Sequence, residues 1–101
     1  MVRADSIIIT TGSQPAVPPI PGLKETGNIT NVEALDLENV PRRLAIIGGG
    51  PIGVEFAGIF AVFGSSVHIY EALARILINE DEEVSQAIAR SYTEQGISVS
   101  T

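Results

Sequence analysis

Three glycines at fixed spacing, Gly48, Gly50 and Gly53, carry the clearest chemistry in this chain. The spacing G-x-G-x-x-G is a weak signal alone; its flanks make it specific. The apolar run Leu44-Ala45-Ile46-Ile47 leads into the glycines, and a small-residue helical pattern from Val54 to Phe63 leads out. A second apolar run, Val67-His68-Ile69-Tyr70, ends at an acid, Glu71. Strand, tight turn, helix, strand and carboxylate in this order make a dinucleotide-binding βαβ unit. Gly48 permits the sharp turn off the strand. Gly50 lets the backbone approach a pyrophosphate that a Cβ would push away, and Gly53 lets the helix lie close on the first strand. Gly49 and Ile52 complete the loop, and Pro51 suits the first helical position, where its missing N–H costs nothing. The helix start then presents amides and a positive dipole end to the phosphates.

Glu71 would accept hydrogen bonds from the adenosine ribose hydroxyls. A carboxylate there favours a free 2′-hydroxyl and repels a 2′-phosphate, so NAD is expected rather than NADP; Arg75 is the one arginine nearby. Glu55 lies early in the helix and reads as a first-turn acid complementing the dipole. His68, the only histidine, has no second histidine or cysteine with which to hold a metal, and reads as a structural strand residue. The acidic run Glu80 to Glu83 lacks the alternating spacing of a calcium loop and suits a helix start instead.

A chain of 101 residues makes one small domain, close to the size at which a single core becomes marginal. It is 45% apolar, with mean hydropathy +0.29. Such a composition points to a buried parallel sheet, or to surface meant to be covered. A net charge of −6 argues against nucleic acid or an anionic membrane as partner. Cysteine is absent, so these residues hold no disulfide, thiolate metal site or redox thiol. No segment resembles a signal peptide or reaches membrane-spanning length, and a cytoplasmic location is expected.

Along the chain, Ser6 to Thr10 reads as a buried strand. Residues 13–29 form a connector holding Pro15, Pro18, Pro19 and Pro21. Thr30-Asn31-Val32-Glu33 has capping-box spacing and predicts a short helix to about Leu37. Strands are predicted at Leu44–Ile47, at Ser66–Tyr70 and from Ile97, with a helix over Pro51–Phe63. Asn79-Glu80-Asp81-Glu82 predicts the start of another helix, ending at Gly96, with Val84, Ala87, Ile88 and Tyr92 toward the sheet. The fold class is α/β, a truncated Rossmann-like parallel sheet with flanking helices.

These residues resemble the pyridine nucleotide-disulfide oxidoreductase family of flavoproteins, dihydrolipoamide dehydrogenase-like members above all. Asp5 to Pro15 looks like the segment ending the first FAD-binding part, where Thr11, Gly12 and Ser13 would border FAD, and Pro19-Ile20-Pro21-Gly22 is similar to the linker. The resemblance divides the chain into residues 1–22, the FAD-segment end and linker; 23–43, a connector with a short helix; and 44–101, a partial NAD(P)-binding domain. It places Glu55 near the nicotinamide, paired with a lysine outside this chain. The reactive cysteine pair and the catalytic His–Glu pair also lie outside, so none of these residues is assigned as catalytic. The resemblance implies a parent enzyme that passes electrons between NAD(H) and a disulfide through FAD, with the fragment itself inactive. An NADH oxidase or peroxidase is the neighbouring reading; a non-catalytic dinucleotide-binding module is the alternative from another class, disfavoured by the Thr11-Gly12 segment.

Family relatives close this sheet with a late strand that the chain lacks. Asp5 to Pro15 has nearly the same form, so Ser6–Thr10 is expected to cover the free edge of Leu44–Ile47, within one chain or by exchange in a homodimer.

Overall fold

The computed structural model describes all 101 residues and contains three strands, three α-helices and one 3₁₀ turn at Lys24–Thr26. Helix α1 is Asn31–Leu35, β1 Arg43–Ile47, α2 Pro51–Val62, β2 Ser66–Tyr70, α3 Glu82–Glu94 and β3 Ser98–Ser100. The strands form one parallel sheet in the order β1-β2-β3. Leu44 pairs with Val67, Ile47 with Tyr70, and Tyr70 in turn with Ser100. This is a truncated Rossmann-like α/β fold, as the pattern predicts.

Local chemistry sets the element ends. The capping box at α1 is present: the Thr30 hydroxyl accepts from the Val32 amide, and the Glu33 carboxylate accepts from the Thr30 amide at 2.7 Å. The helix ends at Leu35, two residues short of the predicted Leu37. Pro51 opens α2 at its first position, as expected from its fixed φ. In α3 the cap is Asp81 rather than Asn79, and Glu82 and Glu83 occupy the first turn at the positive dipole end.

The core lies between one sheet face and helices α2 and α3. It consists of Val54, Ala57 and Phe60 from α2, Val67 and Ile69 from β2, Ile76 and Leu77 from the loop after β2, and Ile97. Two corrections concern α3. Val84 is 45% exposed and Ala87 is exposed, while Ser85, Ile88, Ala89 and Tyr92 form the inner stripe. The cause is polar: the Ser85 hydroxyl, fully buried, donates to the Ile76 carbonyl at 2.6 Å and fixes the rotation of the helix. Tyr92 then spans to α2, its O–H donating to the Val54 carbonyl at 2.6 Å. Burial pushes the Tyr92 phenol up, so it remains a donor. Opposite the helices, His68 stacks on Tyr70 with ring centroids 4.1 Å apart and shares a hydrogen bond with Ser100 at 2.8 Å.

Ser6–Thr10 is not a strand. The segment carries no hydrogen bond to the rest of the chain, and Ile7, Ile8 and Ile9 are each at least 80% exposed. The outer edge of β1 has no neighbour, so the four-stranded order expected within one chain is corrected to three. The physical reason lies in the run itself. Three consecutive isoleucines suit a strand buried on both faces, whereas this sheet is covered by helices on one. Joining it would still leave apolar side chains in water. The radius of gyration, 16.8 Å, exceeds the roughly 13 Å of a compact chain this long, as an unpacked amino-terminal arm requires.

The tightest approach in the fold is at Gly53, where an added Cβ would sit 2.1 Å from the Gly48 carbonyl oxygen and 3.2 Å from the Ile46 side chain. Backbone cannot yield as a flexible side chain can. Gly53→Val is therefore expected to destabilise the fold by about 2–4 kcal/mol, read by urea denaturation, while Gly50→Ala, which meets nothing within 4 Å, stays within about 0.5 kcal/mol of the parent.

Candidate cofactor site

The carboxyl ends of β1 and β2 converge on the glycine loop, where open parallel sheets place their ligands. Gly48 leaves β1 with φ +105°, a conformation that side chains rarely tolerate, and its amide donates to the Tyr70 carbonyl at 2.8 Å. Gly49 is buried; its amide donates to Glu71 Oε2 at 2.6 Å, and its carbonyl accepts from the Leu77 amide at 2.8 Å. The amides of Gly48 and Gly49 thus serve the fold. The hydrogen-bond ladder of α2 begins with Val54 donating to the Gly50 carbonyl, so the amides of Ile52 and Gly53 have no intrahelical acceptor. Beside them Gly50 has open space where its Cβ would be. That combination fits a phosphate group approaching the backbone.

Glu71 follows β2 directly and is half-buried. Its second oxygen accepts from the Leu73 amide at 2.8 Å. The amide of Gly49, and after it that of Leu73, hold the carboxyl below the usual carboxylate range, with partial burial opposing them. Glu71 is therefore an anion at neutral pH. Each oxygen accepts one backbone bond and keeps further acceptor capacity, and the residue lines a cleft.

The cleft has a volume of about 270 Å³ and runs between Gly49, Gly50 and Pro51 on one side and Leu77, Ile78 and Asn79 on the other, with Glu71 and Leu73 between. Its lining includes Glu71 and Glu80 and neither lysine nor arginine. Arg75 turns away from the role a phosphate would give it: its guanidinium donates to the carbonyls of Leu77, Ile78 and Glu80 at 3.0–3.1 Å.

The sequence-predicted residues fall into two groups. Gly48 to Gly53 and Glu71 come together as one loop and cleft. Glu55 is exposed on α2 and lies outside its first turn, which contains no acid, so the dipole-complementing role is corrected. Thr11, Gly12 and Ser13 lie in the exposed arm, with no hydrogen bond to the loop. Sequence reasoning did not foresee the loop wall made by Leu77, Ile78 and Asn79, or that Leu77 takes φ +52°. Arg75 stood out in the sequence as the one nearby arginine, but nothing in residue type alone reveals carbonyls gathered around a guanidinium.

Comparison with known proteins settles the kinship. Residues 1–101 match the pattern of the pyridine nucleotide-disulphide oxidoreductase family. The chain belongs to that family. A dihydrolipoyl dehydrogenase of Chlorobaculum tepidum is 48% identical over 98% of the chain and 21% of its own length. A copper(II) complex of the HOCl-induced flavoprotein disulfide reductase RclA from Escherichia coli superposes with TM-score 0.79 at 44% identity, covering 88% of this chain and 21% of that one. A water-forming NADH oxidase from Lactobacillus brevis, bound to NADH, superposes with TM-score 0.71 at 30% identity, over 90% of this chain and 22% of that one. The chain spans about a fifth of the length of these family members, which are oxidoreductases.

The depressed Glu71 pKa has a consequence for stability. A carboxyl lowered on folding stabilises the native state above its unfolded value, near 4.5, and that contribution is lost as pH falls through the folded value. At pH 7, Glu71→Gln is expected to be less stable than the parent by on the order of 1 kcal/mol, because its NH₂ meets a backbone donor. Urea denaturation at pH 7 and pH 3 checks this: the gap should shrink at pH 3, and an undiminished gap there contradicts it.

Proposed function

We propose that the Gly48–Gly53 loop and Glu71 bind NAD(H) as part of a longer FAD-dependent pyridine nucleotide-disulfide oxidoreductase of the dihydrolipoamide dehydrogenase type. The observation that carries this reading is the meeting of an open Gly50 and an ionised Glu71 along one cleft without cations, with the unpartnered amides of Ile52 and Gly53 just beyond Gly50 in the chain. The pyrophosphate would lie over Gly50, held by the amides of Ile52 and Gly53. The adenosine ribose would reach the free lone pairs of Glu71, where a 2′-phosphate meets repulsion. Bound NADH would supply the electrons that a flavoprotein of this kind passes to its disulfide or other acceptor.

Two further roles belong to the whole protein. Glu55, exposed on α2, would stand near the nicotinamide and pair with a lysine from outside these residues. Thr11, Gly12 and Ser13 would border the flavin; their exposure and the bare isoleucines beside them fit a segment that packs against other parts of the parent. An NADH oxidase would use the same residues identically. The NADH-bound oxidase among the similar structures supports NADH as the nucleotide without selecting the acceptor.

NADH fluorescence titration tests the reading. The chain should bind weakly, since only part of the site is present, and Gly50→Val should abolish that binding by filling the pyrophosphate's place. NADH should bind more tightly than NADPH, and Glu71→Ala should narrow the difference by about 1–3 kcal/mol. An unchanged affinity in Gly50→Val, or a preference of the parent chain for NADPH, contradicts the assignment.

A further inference from the structure

The loop between Glu71 and α3 forms one wall of the cleft, yet it has no regular secondary structure to hold it. Its backbone polar groups must find partners elsewhere. Two ties are local to the core: the Leu77 amide reaches the Gly49 carbonyl, and the Ile76 carbonyl accepts from buried Ser85. The Leu77 carbonyl also accepts from the Glu80 amide at 2.9 Å, closing a turn, and the carbonyls of Leu77, Ile78 and Glu80 all converge on Arg75. One terminal nitrogen takes Leu77 at 3.1 Å and the other takes Ile78 and Glu80, each at 3.0 Å. Convergence of this kind requires the chain to fold back sharply, and Leu77 does so with φ +52°, in the left-handed region. The planar fork of a guanidinium matches several acceptors at once, which an ammonium on a flexible stem does less well.

We propose that Arg75 is a positioning residue for the dinucleotide: it shapes the wall that faces Glu71, while its own charge, committed to the loop carbonyls, makes no contact at the 2′ position. This rests on the NAD-binding reading of the cleft. An arginine four residues after the ribose-binding acid could serve a 2′-phosphate if its side chain were free. Here its two terminal nitrogens already hold three carbonyl oxygens, and it is not among the residues lining the cleft. Removing it should therefore loosen the wall for NADH and NADPH alike, without favouring either.

The test titrates NADH and NADPH against the full chain, Arg75→Gln and Arg75→Lys, with circular dichroism to confirm folding. Arg75→Gln should weaken NADH about fivefold, and Arg75→Lys should recover part of that loss through its remaining charge. The ratio of NADPH to NADH affinity should stay within about twofold of the parent's in both variants, because no phosphate contact has been removed. Amide exchange at Leu77 should accelerate in Arg75→Gln as its turn loosens. If the parent chain binds NADH and Arg75→Gln binds it equally well, the role of Arg75 is overturned while the cleft assignment stands. A loss confined to NADPH also overturns it, since the guanidinium would then face the phosphate. Absence of NADH binding by the parent chain overturns the cleft assignment itself, and this inference with it. Should Arg75→Gln fail to fold, Arg75→Lys against the parent gives the same comparison at smaller amplitude.

Discussion

The hydrogen bond from the Gly49 amide to the Glu71 carboxylate at 2.6 Å, beside the backbone bond from Gly48 to Tyr70, joins the two halves of this site. It links the turn after β1 to the end of β2, across the carboxyl edge of the sheet. Because the acceptor is ionised, the bond is stronger than one between neutral groups. It also requires Gly49 to be glycine: an added Cβ would lie 2.5 Å from an Ile76 methyl and 3.2 Å from the carboxylate. The same carboxylate holds Leu73, and the Gly49 carbonyl holds Leu77, so glycine loop, strand end and cleft wall form one connected unit. The site residue that would greet the ribose is thus also the residue that assembles the site.

This dual role shows how far the sequence could be read. The order of strand, glycine turn, helix, strand and acid is local information, and β1, α2, β2 and β3 appear where the pattern put them. The reasons for Gly48 and Gly53 also hold, a positive φ and a close packing contact, and Gly50 has open space where its Cβ would be. What the sequence concealed depends on geometry between distant residues. No spacing rule tells that a buried serine will rotate α3 away from Val84, or that Glu71 will bond the loop before any ribose arrives. Arg75 was legible as a nearby cation and illegible as a clamp, since its partners are backbone oxygens common to every residue.

The amino-terminal arm was misread for a different reason. Its apolar run has the composition of a central strand, and composition cannot say which sheet it belongs to. Ser6–Thr10 has no place in a sheet covered on one face, and it lies exposed. Family membership over all 101 residues, against about a fifth of each relative's length, gives this exposure a simple context. Surfaces that look unfinished here, the Ile7–Ile9 run and the outer edge of β1, are surfaces that a longer protein can cover. The cleft, by contrast, is lined by residues between Gly49 and Glu80.

On the proposed reading, the free helix-start amides beside Gly50 receive the pyrophosphate, while Gly49 and Leu77 remain tied to the fold. Amide chemical shifts in a ¹⁵N-labelled chain titrated with NADH measure this directly. The largest changes should fall at Gly50, Ile52 and Gly53, with Glu71 following and the slowly exchanging amides of Gly49 and Leu77 still protected. Changes centred on the amino-terminal arm or the His68 face, with the glycine loop unmoved, would contradict it.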